Sequence, residues 1–283
     1  MKTGFNLLLW TIHVTAAHFP LFEKLKAAGY DGIEIPLFEA SVSHFEQVGR
    51  AIRDHGLGCT TVTVLPDQAH SAISPDPASR KGALDHLKWA IECSAALGSE
   101  VLAGPFHQPL AVFSGIGPTA DEQAWAVEVH RQAADIAAAS GLALAIEPLN
   151  RFECYFLNTM ADAKAHVQRV GHPNFGALYD TFHANIEERD PVGCIADTAD
   201  VIRHVHISEN DRGTPGRGHV PWRATFRALR AAGYDGWLTI EAFGTALPAL
   251  AAATKIWRNL HASPGEVYEH GLRTIRENWA AAA

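Results

Sequence analysis

The sequence predicts one α/β domain, a closed barrel of eight parallel strands each followed by a helix, (β/α)8. Three observations predict it. Apolar runs of strand length alternate with amphipathic stretches of helix length in one uninterrupted series. No Pro/Ser-rich hinge or low-complexity segment divides the 283 residues, and a barrel of this kind commonly uses roughly 250 residues as one domain. An internal echo, LKAAGYDG at 25–32 and LRAAGYDG at 229–236, fixes two helix-to-strand joints, each leading into a strand that carries a glutamate, Glu34 or Glu241. The glycine at the helix end can take the left-handed conformation that turns the chain into the next strand. A single domain spanning 1–283 is the expectation.

In chain order, residues 4–11 (GFNLLLWT) read as the first strand and 19–28 as the first helix. Residues 32–35 (GIEI) follow as a short strand, and 43–55 as a second helix with Ser43 as its cap. Residues 58–65 (GCTTVTVL) are rich in β-branched side chains, which suits strand three. A long helix covers 77–97 with Gly98 past its end, and 101–104 is strand four. A helical pattern resumes near Asp121 and runs to Ser140, stopped by Gly141. Strand five covers 142–147 with a helix over 160–170 behind it; strand six is 175–180 (FGALYD), followed by a short helix over 191–198. Strand seven is 201–207 (VIRHVHI) with a helix over 222–232, and strand eight is 236–241 (GWLTIE), with helical material from Leu247 onward.

Hydrophobic residues make up 47% and charged residues 19%, a globular composition with material for a large core rather than a disordered chain. The net charge of -8, with no Lys/Arg-rich run, argues against a nucleic-acid partner, which leaves a basic footprint. Cys59, Cys93, Cys154 and Cys194 form no CxxC pair and read as free thiols of a reducing compartment. The first nine residues do not have the pattern of a signal peptide. The longest small-apolar stretch, 246–253, falls well short of the roughly 20 residues that cross a bilayer. These features lead us to expect a cytoplasmic protein with no membrane partner, acting on a small neutral or cation-assisted ligand.

In such a barrel the site lies at the C-terminal ends of the strands, so the residue that closes each strand matters most. LALAIEPLNRFE (142–153) is the sharpest case. The apolar run ends at Glu147 because Pro148 donates no ladder hydrogen bond and Asn150 favours a turn. A carboxylate at the rim of a buried sheet is expensive unless it is paired or bound to a cation. Strand six ends in Asp180, strand seven carries His204 and His206 on one face, and strand eight ends in Glu241. Taken singly, each acid is as readily a helix cap or a surface charge, and either histidine a hydrogen-bonded core residue. Taken together, four consecutive strands deliver three carboxylates and an imidazole to one rim, with His206, nearer the mouth, as the expected ligand. That oxygen-rich set suits Mn2+, Mg2+ or Co2+ better than structural zinc. Glu153, His183 and Arg212 fall in the loops just beyond these strand ends.

Through IEPLNRFE, YDTFHANIEE, HVHISENDRG and TIEAF, and more loosely through GYDGIEI, the chain resembles the ketose 3-epimerases of the tagatose/psicose 3-epimerase group. These belong to the xylose-isomerase-like sugar isomerase TIM barrels. The resemblance implies that Glu147, Asp180, His206 and Glu241 hold one divalent ion, usually Mn2+ or Co2+, with Mg2+ a further candidate. It implies that Glu147 and Glu241 exchange a proton with C3 of a free ketose such as L-ribulose, D-psicose, D-tagatose or D-fructose. It further implies that Glu153, His183 and Arg212 grip the oxygens at C1 and C2, and that the chain forms a homodimer or homotetramer.

The chemistry agrees with that allocation. Inverting a carbon beside a ketone requires removing a proton from one face and returning one to the other, so two acid/base groups must flank the sugar. A metal bridging the ketone and the adjacent hydroxyl would stabilise the cis-enediolate between the two steps. Aldose–ketose isomerisation and sugar dehydration are alternatives on the same scaffold. A three-metal endonuclease would call for more histidine ligands and a basic groove, and a non-catalytic sugar-binding barrel would tolerate loss of the Glu147 charge. No glycine-rich phosphate loop follows strand seven or eight, which disfavours a phosphorylated sugar.

Overall fold

The computed structural model describes residues 1–282; Ala283, the last residue of the expected domain, lies outside them. Eight parallel strands close on themselves in chain order: β1 Lys2–Asn6, β2 Gly32–Pro36, β3 Gly58–Val62, β4 Val101–Gly104, β5 Ala143–Ile146, β6 Phe175–Asp180, β7 Ile202–Ile207 and β8 Trp237–Ile240, with β8 paired to β1. Around them run α1 Phe19–Ala28, α2 Val42–Asp54, α3 Pro77–Leu97, α4 Ala120–Ala138, α5 Met160–Val170, α6 Thr181–Glu187, α7 Gly193–Thr198, α8 Trp222–Ala231, α9 Pro248–Ala253 and α10 Pro264–Ala281. Side-chain caps start the longer helices: Asp76, Thr119, Thr159 and Ser263 each accept a backbone N–H of the first turn. Gly29 and Gly233, the paired glycines of the echo, adopt φ of 105° and 73° and turn the chain out of α1 and α8.

Alternation along the strands separates two kinds of surface. Phe5, Ile33, Leu102, Leu144, Val205 and Ile240 face outward and join the helices in the main core. Val101, Ala103, Ala145, Leu178 and Trp237 form a separate cluster that fills the barrel floor. A Cβ on Gly32 would lie 2.4 Å from the Trp237 ring and one on Gly58 2.9 Å from it, so the second glycine of the echo makes room for that indole. Above this floor the interior turns polar and stays buried: Asn6, Glu34, Thr60, Glu147, Asp180, His204, His206 and Glu241. Strand register sets Glu34 between Asn6 and Thr60, and Asp180 beside His206.

The element boundaries depart from the sequence expectation where a side chain intervenes. The first strand ends at Asn6 rather than Thr11, because Asn6 Oδ1 accepts the Leu8 N–H at 2.8 Å and starts a 3-10 turn over Leu7–Leu9. The apolar run there reflects burial of all three leucines, not extended backbone. The cap of α2 is Ser41, not Ser43, and β3 stops at Val62 rather than Leu65. A helix not anticipated from the sequence, α6, starts at the end of β6 because Asp180 Oδ1 accepts the N–H groups of Phe182 and His183. All four cysteines are free. Among the described residues no helix is long and apolar enough to cross a membrane.

Candidate active site

His206 is the centre of the polar layer. Its Nε2 lies 2.8 Å from Glu34 Oε1, and its Nδ1 faces the other way, toward Asp180 Oδ2 at 3.5 Å, Glu241 Oε1 at 3.6 Å and Glu147 Oε1 at 3.9 Å. His206 Nδ1 and Asp180 Oδ2 are fully buried and have no hydrogen-bond partner, an arrangement that native interiors rarely tolerate without a ligand. The donor atoms of Asp180, His206 and Glu241 all lie within 4.8 Å of one another. Glu147, Asp180, Glu241 and Glu34 bring four acids into one buried region, with Arg212 as the permanent cation among them. A divalent cation at Nδ1 would satisfy the two orphaned atoms and offset the excess negative charge, so these residues fit such an ion.

Electrostatics differ sharply between neighbouring groups. Burial pushes the Glu147 carboxyl well above the usual carboxylate range; the His206 charge opposes this, while Glu241 and Asp180 add repulsion. Burial likewise raises Glu241, against the attraction of His206 and Arg212. For Asp180 burial is outweighed by the nearby His206 and by His183 and Arg212, which together bring its pKa down to about 2. Burial alone would also raise Glu34, but the charges of His206 and His204 and their hydrogen bonds hold it far below the usual range. Burial and then the Arg212 charge push His183 down to about 4, which keeps the ring neutral near pH 7.

Further side chains lead from this cluster to the mouth. Arg212 Nη1 donates to Glu241 Oε2 at 2.7 Å, and its guanidinium lies between the rings of Phe182 and Phe243, 4.1 and 4.7 Å from their centroids. Its backbone φ of 63° is unusual for a residue other than glycine, the kind of strain that persists at functional positions. His183 Nδ1 lies 2.9 Å from the Asn150 N, and its Nε2 lies 2.8 Å from Arg212 Nη2 and 3.7 Å from Glu147 Oε1. Glu153 Oε1 accepts from Asn150 Nδ2 at 2.8 Å and lies 3.6 Å from Arg212 Nη2. For Glu153 burial is outweighed by Arg212 and His183, which hold its carboxyl below the usual range. A cavity of about 530 Å3 opens against Asn150, Glu153, Phe182 and Arg212, with the exposed Phe152 and Trp257 at its lip.

All seven residues singled out in the sequence thus converge at the C-terminal end of the barrel. Of the two strand-seven histidines, His204 lies deeper and pairs with Glu34 Oε2 at 2.8 Å, away from the acid cluster. Thr181 is a strut, donating to Ser208 O at 2.6 Å. Sequence reasoning missed Asn6 and the place of Glu34 in this layer. The signal for Glu34 was a glutamate inside a strand otherwise made of glycine, isoleucine and proline; the signal for Asn6 was an amide inside an apolar run.

Residues 22–278 match the family described as the xylose isomerase-like TIM barrel. The chain is 34% identical to a ketose 3-epimerase of Arthrobacter globiformis over 284 residues, covering 99% of this chain and 98% of that one. It is 31% identical to a D-psicose 3-epimerase of Agrobacterium fabrum, covering 92% and 91%. The crystal structure of a D-allulose 3-epimerase from Methylomonas sp. in complex with D-allulose superposes with a TM-score of 0.91 at 28% identity, covering 98% and 97%.

Proposed function

The chain belongs to the xylose isomerase-like TIM barrel family and, like its ketose 3-epimerase relatives, is an isomerase; from that premise we propose that it inverts C3 of free ketopentoses or ketohexoses by proton transfer between two glutamates. The observation that carries this reading is the convergence of Glu147, Asp180 and Glu241 on the unpartnered Nδ1 of His206. Glu147 and Glu241 follow β5 and β8, which lie on either side of β7 in the barrel order, so a sugar lodged between them would meet one carboxylate on each face. One glutamate takes the proton from C3, and the C–H electrons pass into a cis-enediolate across C2 and C3. The other returns a proton to the opposite face, and the hydroxyl at C3 is inverted. Glu147, Asp180, His206 and Glu241 would hold one divalent ion, with Mn2+ or Co2+ favoured over Mg2+; when bound it supplies Lewis-acid stabilisation of the negative oxygens.

His183 and Arg212 orient the substrate. Arg212 Nη2 lies 2.8 Å from His183 Nε2, so the two side chains present one polar edge to the C1 or C2 oxygen of a ketose. Glu153, held ionised beside Arg212, accepts a hydroxyl proton from the same end of the sugar. Burial raises the pKa of Glu147 and Glu241 toward the range in which a carboxyl can act as acid as well as base.

Turnover of a ketose in D2O tests the reading. Deuterium should appear at C3 of both epimers. Label confined to C1 would indicate aldose–ketose isomerisation and loss of water a dehydratase, and either result would overturn C3 epimerisation.

A further inference from the structure

Glu34 reaches into the barrel from β2, across the interior from β7, and is fully buried. Its Oε1 accepts from Asn6 Nδ2 at 2.9 Å and faces His206 Nε2 at 2.8 Å; its Oε2 accepts from Thr60 Oγ1 at 2.9 Å and lies 2.8 Å from His204 Nε2. Glu34, His204 and His206 therefore cluster as three metal ligands would. The acceptor count argues against an ion there, because each carboxylate oxygen already faces two donors and has no lone pair left to give. The hydrogen bond to Glu34 Oε1 then places a proton on His206 Nε2. In the neutral form that ligates an ion, His206 then offers its Nδ1 lone pair toward Asp180, Glu147 and Glu241.

We propose that Glu34 is a positioning residue for the metal centre: it fixes the tautomer and ring angle of His206, and Asn6 links that anchor to Glu241. A carboxylate on the far nitrogen of a ligating imidazole locks the ring and raises its basicity as a ligand. Asn6 is itself fixed, since its Oδ1 accepts the Leu8 N–H while its Nδ2 lies 2.9 Å from Glu34 Oε1 and 3.3 Å from Glu241 Oε1. One amide thus sets the spacing between the histidine anchor and one of the proposed proton-transfer carboxylates. Glutamine cannot replace Glu34 in this role. Its amide would present an NH2 to two of the four converging donors, and one ring would have to flip its tautomer or rotate away.

The inference rests on the metal-dependent reading of the site, and its test separates the two. Mn2+ affinity of the stripped wild-type and E34Q proteins is measured by competition with a metallochromic chelator, alongside the thermal midpoint of each metal-free protein. E34Q should bind Mn2+ about 10–100-fold more weakly and gain less thermal stability from it. Equal affinities for wild type and E34Q, whatever the change in metal-free stability, would overturn the positioning role and leave the metal site standing. Failure of the wild type to take up any divalent ion would overturn both. A measurement on the wild type alone covers the case in which E34Q does not fold. The Co2+-loaded protein should show a hyperfine-shifted imidazole N–H that exchanges slowly with solvent, because His206 Nε2–H is buried against Glu34. Absence of that resonance would overturn the proposal.

Discussion

Arg212 Nη1 lies 2.7 Å from Glu241 Oε2, so a cation at the wall of the mouth cavity is tied directly to a carboxylate that faces His206. The guanidinium is held flat by Phe182 and Phe243 and is almost wholly buried. Arg212→Ala should lower kcat/KM by roughly 10–100-fold, since a hydrogen bond to a charged group is worth about 1.5–3 kcal/mol. Metal affinity should change much less. Arg212→Lys should recover little of the loss, because an ammonium can neither fill the aromatic slot nor reach Glu241 and His183 together. A loss of metal affinity larger than the loss of turnover would place Arg212 with the metal rather than with the substrate.

Glu147→Gln and Glu241→Gln should each reduce turnover by roughly 100- to 10,000-fold, the range that a positioned acid or base contributes, with circular dichroism unchanged. The metal-free Glu147→Gln protein should be at least as stable as the wild type near pH 7. Burial and the neighbouring acids disfavour the Glu147 charge, and the amide removes it at constant shape. Full turnover in either variant would remove that glutamate from the proposed proton-transfer pair and revive a binding-only barrel.

The contrast between what was and was not legible in the sequence follows from strand position. Glu147, Asp180 and Glu241 could be read because each closes a strand, where Pro148, a new helix or a loop marks the rim. Glu34 and Asn6 lie within or at the end of strands whose alternation gives no hint of what stands across the barrel. The contact of Glu34 with His206 joins strands that are not neighbours in the sheet and becomes visible only on closure. The same holds for Trp237, whose indole explains two distant glycines, and for Arg212, whose left-handed backbone no local pattern announced. Local rules also misplaced the end of β1, because an asparagine cap overrides an apolar run.

Chelation should abolish activity, and Mn2+ or Co2+ should restore it better than Ca2+. The donor set offers three carboxylates and one imidazole, whereas Ca2+ prefers six to eight oxygens at longer distances. Metal at about 100 times its dissociation constant should stabilise the folded chain by about 2.7 kcal/mol, which for a chain of this size raises the thermal midpoint by about 2–4 °C per kcal/mol. Full activity of metal-stripped protein, checked by elemental analysis, would remove the metal from the mechanism.

Acid should destabilise the chain through a histidine pair away from the acid cluster around His206. His130 Nε2–H donates to Phe106 O at 3.1 Å, so Nδ1 accepts from His166 Nε2–H at 2.7 Å; both rings pack on Phe175. Protonating His130 would set two N–H groups against each other in a buried space. Burial brings the His130 pKa down to about 4, and burial, then the His130 and His107 charges and Arg169, put His166 well below the usual range. In the unfolded chain both rings titrate near the usual 6.5, so between that pH and about 4 the unfolded state binds more protons. Stability is therefore complete above about pH 7 and falls as pH drops through that window. His130 alone accounts for a loss on the order of 3 kcal/mol by its lower end. His130→Gln keeps a donor for Phe106 O and an acceptor for His166 but takes up no proton. It should lower stability at pH 7.5 and flatten the acid slope, so the two unfolding curves converge on acidification. Chemical denaturation at several pH values between 7.5 and 4.5 reads this directly, and parallel curves for wild type and variant would show that the pair does not set the acid limit.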